Sequence, residues 1–155
     1  MRVVAKFGGT SLGSGDRINR AADSIAAAVE EGHEIAVVAS AMGNTTDKLL
    51  EEIEFEAEDR DRAEIVSMGE RTSVRMLKAA LAARGVDSLF VEPGSDEWPV
   101  IANDLGEVDM EETKRRAGKL AADLDSVVPV ITGFLSQNHD GEITTLGRGG
   151  SDTTA

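Results

Sequence analysis

Two short segments at opposite ends of this chain carry side chains that grip anions. Near the start, Val3-Val4-Ala5-Lys6-Phe7-Gly8-Gly9-Thr10-Ser11 runs an apolar stretch into a lysine, a glycine pair and two hydroxyls. Near the end, Thr144-Thr145-Leu146-Gly147-Arg148-Gly149-Gly150-Ser151-Asp152-Thr153-Thr154 packs an arginine, glycines, hydroxyls and a carboxylate behind a β-like run. Lysine and arginine pair with phosphate or carboxylate, and glycines let backbone N–H groups come close to the same guest. Two anion-cradling loops in one α/β chain point to phosphoryl transfer. Neither loop is a standard nucleotide motif. No Gly-Lys-Ser/Thr follows at Walker spacing from Gly8, and Gly13-Ser14-Gly15 lacks the third glycine of a dinucleotide fingerprint. A tight turn with a surface lysine would also explain the first segment. Against that, Lys6 follows a fully apolar strand, where its charge is costly to bury unless it faces an anion or a carboxylate.

Other candidates are less specific. Glu70 lies in Ser67-Met68-Gly69-Glu70-Arg71-Thr72; by pattern alone it is an exposed helical glutamate beside Arg71. Gly69 weakens a helix interior, which hints at close packing or an approaching ligand. Thr45 and Thr46 read as a helix N-cap. His33 and His139 sit in turns without metal-ligand spacing, and the absence of cysteine removes disulfides and thiolate sites. Trp98 and the methionines read as packing residues.

These groups need elements to hold them. Arg2 to Phe7 reads as a buried strand and Gly8 to Gly15 as a loop. Asp16 reads as an N-cap for a helix with Ile18, Ala21, Ala22, Ile25, Ala26 and Val29 at helical spacing, ended by Gly32. Ile35 to Ala39 is a second strand, followed by a polar turn from Ser40 to Thr46. Leu49, Leu50, Ile53 and Phe55 suggest a helix leading into a longer one. That longer helix would carry Ile65, Met68, Val74, Leu77, Ala80 and Leu81 on its apolar stripe and end near Gly85. Asp87 to Glu92 reads as a third strand and Met110 to Leu124 as an acidic amphipathic helix, with irregular chain from Pro93 to Leu105 between them. Val127 to Thr132 is a fourth strand, in which Pro129 implies a bulge or an edge. Asn138-His139-Asp140-Gly141 between two short apolar runs is a hairpin signal. The pattern predicts an α/β fold, a three-layer sandwich with a mostly parallel sheet and a β-hairpin near the C-terminus. In such sheets ligands lie beyond the carboxyl ends of the strands, so the polar loops converge on one side by topology.

At 155 residues the chain is most simply one domain, and 41% hydrophobic content fits a globular protein. No signal peptide and no bilayer-length apolar run are evident, so the expected location is cytoplasmic. A net charge of −13 argues against nucleic acid and anionic membranes as partners. The acid concentrates from Glu51 to Glu64 and from Glu92 to Glu112. It reads either as a solvated face or as adaptation to a salty cytoplasm, where ions screen self-repulsion. On the second reading the melting temperature should rise between low and molar KCl; a flat or falling value would contradict it.

Taken together, Lys6 to Ser11, the Ser40-Ala41-Met42-Gly43-Asn44-Thr45 turn, Ser67-Met68-Gly69-Glu70, Gly133-Phe134 and Thr145 to Ala155 resemble the aspartate kinase (aspartokinase) family of the amino-acid kinase superfamily. The resemblance spans the whole chain in order. It implies ATP-dependent phosphorylation of the side-chain carboxylate of L-aspartate, the entry to lysine, threonine and methionine biosynthesis. It further implies that Lys6 and Asp152 are catalytic, that Lys6, Phe7, Gly8, Gly9, Thr10 and Ser11 form the phosphate-side loop, and that Thr45, Glu70, Arg148, Gly149, Gly150 and Ser151 bind the amino-acid substrate. Lys6 would neutralise the transferring phosphoryl group, Arg148 would clamp a substrate carboxylate, Glu70 would pair with the ammonium, and Mg²⁺ would be bound through the ATP phosphates. By the same resemblance, residues 1–155 correspond to the N-terminal, amino-acid-substrate portion of a kinase domain, without the nucleotide-binding remainder or ACT domains. The protein would then be a homo-oligomer or depend on that remaining part, and the chain alone should turn over little. Another amino-acid kinase, a non-catalytic aspartate-binding module or subunit completed by another chain, and a nucleotide-binding regulator are the competing readings.

Overall fold

The computed structural model describes residues 1–147 and 149–155. The order of elements is β1 (Arg2–Phe7), a 3-10 turn (Thr10–Leu12), α1 (Gly15–Glu30), β2 (Glu34–Ala39), α2 (Thr45–Glu51), α3 (Asp59–Ala82), β3 (Ser88–Val91), α4 (Met110–Ala121), β4 (Val128–Thr132), β5 (Leu135–Gln137), β6 (Ile143–Thr145) and α5 (Gly150–Thr154). Among the described residues β1 to β4 form a parallel sheet in the order β1-β2-β4-β3, while β5 and β6 pair antiparallel as a separate hairpin. This is the α/β architecture expected from the strand-helix alternation, including the terminal hairpin.

Strand alternation sends side chains to two cores. Ile35, Val37 and Ala39 of β2, with Val128 and Val130 of β4, pack under α1 and α3 against Ile18, Ala22, Ile25, Val74, Leu77 and Leu81. The intervening residues Val38 and Ile131 face the other way, onto Trp98, Val100, Ile101 and Leu135, with Leu120 of α4 at the margin. The third layer is thus built mainly from irregular chain and the hairpin. Trp98 is fully buried, and its indole N–H donates to the Val100 carbonyl at 2.7 Å, which satisfies the polar edge of the ring.

Three local readings are corrected. The cap of α1 is Ser14, whose Oγ accepts from the Arg17 N–H at 3.3 Å; Asp16 lies inside the first turn and pairs with Arg20 at 3.0 Å. Met68 is 52% exposed, because the inward stripe of α3 runs through Val66, Glu70, Ser73, Val74, Leu77 and Leu81. Residue 68 is two positions from both 66 and 70 and so points away from them on a helix. Pro129 sits in β4, a central strand rather than an edge. It pairs only with Leu89 of β3, and the ladder to β2 begins one residue later at Val130, so no rung between β2 and β4 needs its missing N–H.

The carboxyl ends of β1, β2 and β4 point the same way. Beyond them the chain is held together by close backbone approaches that only glycine permits. A Cβ on Gly9 would lie 2.7 Å from the Gly43 carbonyl and 2.9 Å from the Ala41 carbonyl. The Gly43 N–H donates to the Gly9 carbonyl at 2.9 Å, locking the first loop onto the second.

Candidate active site

A cleft of about 330 Å³ opens at these strand ends, and Lys6, Gly8 and Gly9, Ser40 and Ala41, Glu70, and the Gly149–Asp152 turn all contribute to it. Lys6 is the penultimate residue of β1 and projects on the face opposite α1 and α3. Its Nζ lies 2.8 Å from Asp152 Oδ1 in the first turn of α5, so the two ends of the chain meet across the cleft. Asp152 is 73% exposed and Lys6 33%. A pair this open to water adds little stability, which leaves the ammonium available to an incoming anion.

Ser151 lies beside it. Its Oγ accepts from Ser40 Oγ at 2.8 Å, tying α5 to the end of β2. Gly133, just past β4, makes room for this contact: a Cβ there would fall 2.6 Å from Ser151 Oγ and 3.0 Å from its Cα. Gly133→Ala should therefore push α5 outward and cost about 1–3 kcal/mol, the usual range for overpacking. Urea unfolding checks the stability, and loss of ligand affinity checks the displacement. A variant as stable as the parent would contradict it.

Glu70 forms the floor. It is 3% exposed, and its Oε2 has no hydrogen-bond partner among the described residues. Burial pushes its carboxyl up to about 7, partly opposed by the Ala41 backbone and the Thr46 hydroxyl nearby. A buried acceptor without a partner is costly unless a ligand supplies a donor. The glycine before it has a steric reason, since a Cβ on Gly69 would meet the Ala41 Cβ at 2.9 Å. The exposed helical glutamate suggested by pattern alone is thus corrected to a buried one aimed into the cleft.

The remaining candidates divide. Gly8, Gly9, Gly149, Gly150 and Ser151 line the cleft. Phe7 packs instead with the core under α1 and α3, and Thr10 and Ser11 line a shallow groove with Arg17 and Arg20 on another side. Thr45 spends its hydroxyl on the Met42 carbonyl at 2.6 Å, while its neighbour Thr46 faces the cleft. Arg148 lies outside the described residues. Sequence reading missed Thr46 and Ser40 as site residues. The adjacent threonines carried the signal, but only the register of α2 tells which one turns inward. Phe134 also lines the cleft, and it has a left-handed backbone, φ 68°, which is rare for an aromatic residue. Its carbonyl accepts from the Leu146 N–H at 2.8 Å.

A cation beside a carboxylate at one wall, paired hydroxyls, and a buried unpartnered carboxyl at the floor can hold a guest bearing both an anionic and an ammonium group. The model of the amino acid kinase family matches residues 1–155. The chain belongs to the amino acid kinase family. Among its relatives in that family, the aspartokinase of Thermus thermophilus is 40% identical over 99% of this chain and 38% of its own length. The crystal structure of aspartate kinase from Synechocystis superposes with a TM-score of 0.74 at 34% identity, covering 98% of this chain and 25% of that one. Escherichia coli aspartokinase III, solved in complex with aspartate and ADP, superposes with a TM-score of 0.83 at 25% identity, covering all of this chain and 45% of that one. The amino acid kinase chain described here therefore spans a little over a third of the length of the Thermus relative. No helix among the described residues is long and apolar enough to cross a membrane.

Proposed function

We propose that this chain is the amino-acid-binding part of a kinase that phosphorylates the side-chain carboxylate of L-aspartate with ATP, giving 4-phospho-L-aspartate. One observation carries the reading: Lys6 and Asp152 meet at 2.8 Å on one wall of a cleft whose floor holds the unpartnered, buried Glu70 oxygen. The first supplies a cation where negative charge must accumulate, the second an acceptor for an ammonium. The similarity to aspartokinases favours aspartate as the guest that carries both charges.

The chemistry demands little covalent help. A carboxylate is already a nucleophile at neutral pH, so no general base is needed, and catalysis rests on positioning and charge neutralisation. On this reading Lys6 neutralises the transferring phosphoryl group. Gly8 and Gly9 bring backbone N–H groups to it, in a loop fixed by the Leu12 and Gly43 N–H donors on their carbonyls. Glu70 takes the substrate ammonium, with Thr46, Ser40 and Ser151 as hydrogen-bonding neighbours. Asp152 orients Lys6. Arg148 is assigned a substrate carboxylate on the resemblance alone. No cluster of three or more His, Cys, Asp or Glu among the described residues is placed to hold a metal; Mg²⁺, which neutralises phosphate charge in phosphoryl transfer, would be held by the ATP phosphates. A role at the head of lysine, threonine and methionine biosynthesis follows if the activity is confirmed.

Calorimetric titration tests the reading. L-aspartate should bind with one-to-one stoichiometry, and succinate, which lacks the ammonium, should bind far more weakly. Equal affinity for the two, or no binding of aspartate, would overturn it.

A further inference from the structure

Behind the cleft lies a second, larger hollow of about 700 Å³, between the starts of α2 and α3 and the β5–β6 hairpin. Leu50, Ala63, Val66, Leu105, Ile143 and Leu146 give it a largely apolar wall. The two hollows share Thr46, Phe134 and Gly147 in their linings. Of these three, Phe134 alone has a side chain large enough to act as a partition.

Its position is strongly specified. The left-handed backbone of Phe134, φ 68°, is a conformation an aromatic residue adopts only when its surroundings dictate it. Three hydrogen bonds fix the bend: the Gly133 N–H donates to the Ala39 carbonyl at 2.9 Å, the Leu135 N–H to the Gly133 carbonyl at 2.8 Å, and the Leu146 N–H to the Phe134 carbonyl at 2.8 Å. The ring sits against α5 at Gly150, where an added Cβ would come within 3.0 Å of Phe134 Cα and 3.1 Å of its Cδ2. Backbone strain, a glycine opposite the ring and packing against the second core hold Phe134 at the boundary of the two hollows. Such strain concentrates where geometry serves function.

We propose that Phe134 is a specificity-determining residue: its ring closes the inner end of the cleft and excludes an amino-acid dicarboxylate one methylene longer than aspartate. The inference rests on the proposed function. A guest whose reacting carboxylate lies at the Gly8 and Gly9 N–H groups, next to the phosphoryl position that Lys6 faces, extends toward Glu70 and Thr46. An extra methylene drives its α-amino end into the Phe134–Thr46 wall. With the ring removed, that end gains the space of the hollow behind.

A single methylene in an apolar pocket is worth about 10–200-fold in discrimination. In Phe134→Gly the ratio of the glutamate Kd to the aspartate Kd should therefore fall by about 10-fold or more, and 2-aminoadipate, two methylenes longer than aspartate, should become a detectable ligand. Glycine suits φ 68° and relieves the strain, which favours folding of this variant; thermal melting verifies it. Should it not fold, Phe134→Leu opens the same partition less widely, and its ratio is then the deciding value. Calorimetric titrations of the unchanged chain and the variant with all three amino acids read the outcome. A fallen ratio supports the inference. An unchanged ratio in a folded variant, while the parent binds aspartate, overturns the inference and leaves the proposed function standing. A parent chain that binds no aspartate overturns both.

Discussion

Glu70→Gln should weaken aspartate binding about 100-fold at pH 8 and at the same time make the empty protein more stable. The two effects have one origin. Glu70 is 3% exposed with an unpartnered oxygen, and burial raises its carboxyl from the ordinary value of 4.5 to about 7. Because the folded value exceeds the unfolded one, the folded, empty protein binds more protons than the unfolded chain between those pH values. The stability tied to this group is complete below about 4.5 and is lost as pH rises through about 7. Glutamine carries no charge to desolvate, so at pH 8 the variant should gain about 2 kcal/mol, somewhat less than the shift alone would give at about 1.4 kcal/mol per pKa unit. The cost falls on the ligand. An ammonium bonded to a buried carboxylate is worth roughly 1.5–3 kcal/mol more than one left without it, or about 10- to 150-fold in affinity. In the parent, aspartate affinity should rise with pH until it levels off above about 7, as Glu70 sheds its proton. In the variant that dependence should vanish. Thermal melts and titrations from pH 6 to pH 9 check both signs; a variant that loses stability at pH 8 while keeping affinity would contradict the role given to Glu70.

Lys6→Met should reduce phosphoryl transfer by about 10³-fold while changing aspartate binding only slightly, since methionine keeps the apolar stem and removes the charge. The assay uses a chimera in which residues 1–155 replace the aligned part, 40% identical to this chain, of the Thermus thermophilus aspartokinase. Lys6 Nζ is the cation placed at the Gly8–Gly9 loop, held by Asp152 at 2.8 Å. Removing one preorganised charge donor from a transition state costs about 10²–10³-fold, and a full cation facing a phosphoryl group belongs at the upper end. Asp152→Asn should lose less, about 10-fold to 100-fold, because it orients the lysine and does not touch the phosphoryl group. Hydroxamate trapping of aspartyl phosphate measures the rate. A Lys6→Met chimera with an unchanged kcat, or one whose whole loss lies in the aspartate KM, would contradict the assignment.

The frame that brings these groups together was largely legible in the residues. β1 keeps the expected bounds, Arg2 to Phe7, but it is a half-exposed edge strand rather than a buried one, with Val4 54% exposed; β2 begins one residue earlier than expected, and the Asp140-Gly141 turn does join two antiparallel strands. Continuous apolar runs mark strands covered on both faces, and β2 and β4 are such strands. What escaped notice depends on three-dimensional register. Periodicity placed Met68 in the stripe of α3 because it rewards apolar residues. The buried face of the helix is partly polar instead, through Ser67, Glu70 and Ser73, and of these Glu70 lines the cleft. A buried glutamate looks like a surface one until the Ala41 loop is seen against Gly69. Thr45 and Thr46 are interchangeable as letters, yet one bonds the Met42 carbonyl and the other faces the cleft. Phe134 carried no signal of its left-handed backbone, which is imposed by the bonds on either side of it.

Amide-resolved NMR titration with L-aspartate tests the central claim most directly, that the two chain ends build one site for an amino-acid dicarboxylate. The expected result is a saturable set of shifts at the amides of Gly8, Gly9, Ser40, Gly150 and Ser151, reporting both ends of the chain at one dissociation constant. Shifts confined to Leu50, Leu105 and Ile143 around the larger hollow, or none at all, would contradict it.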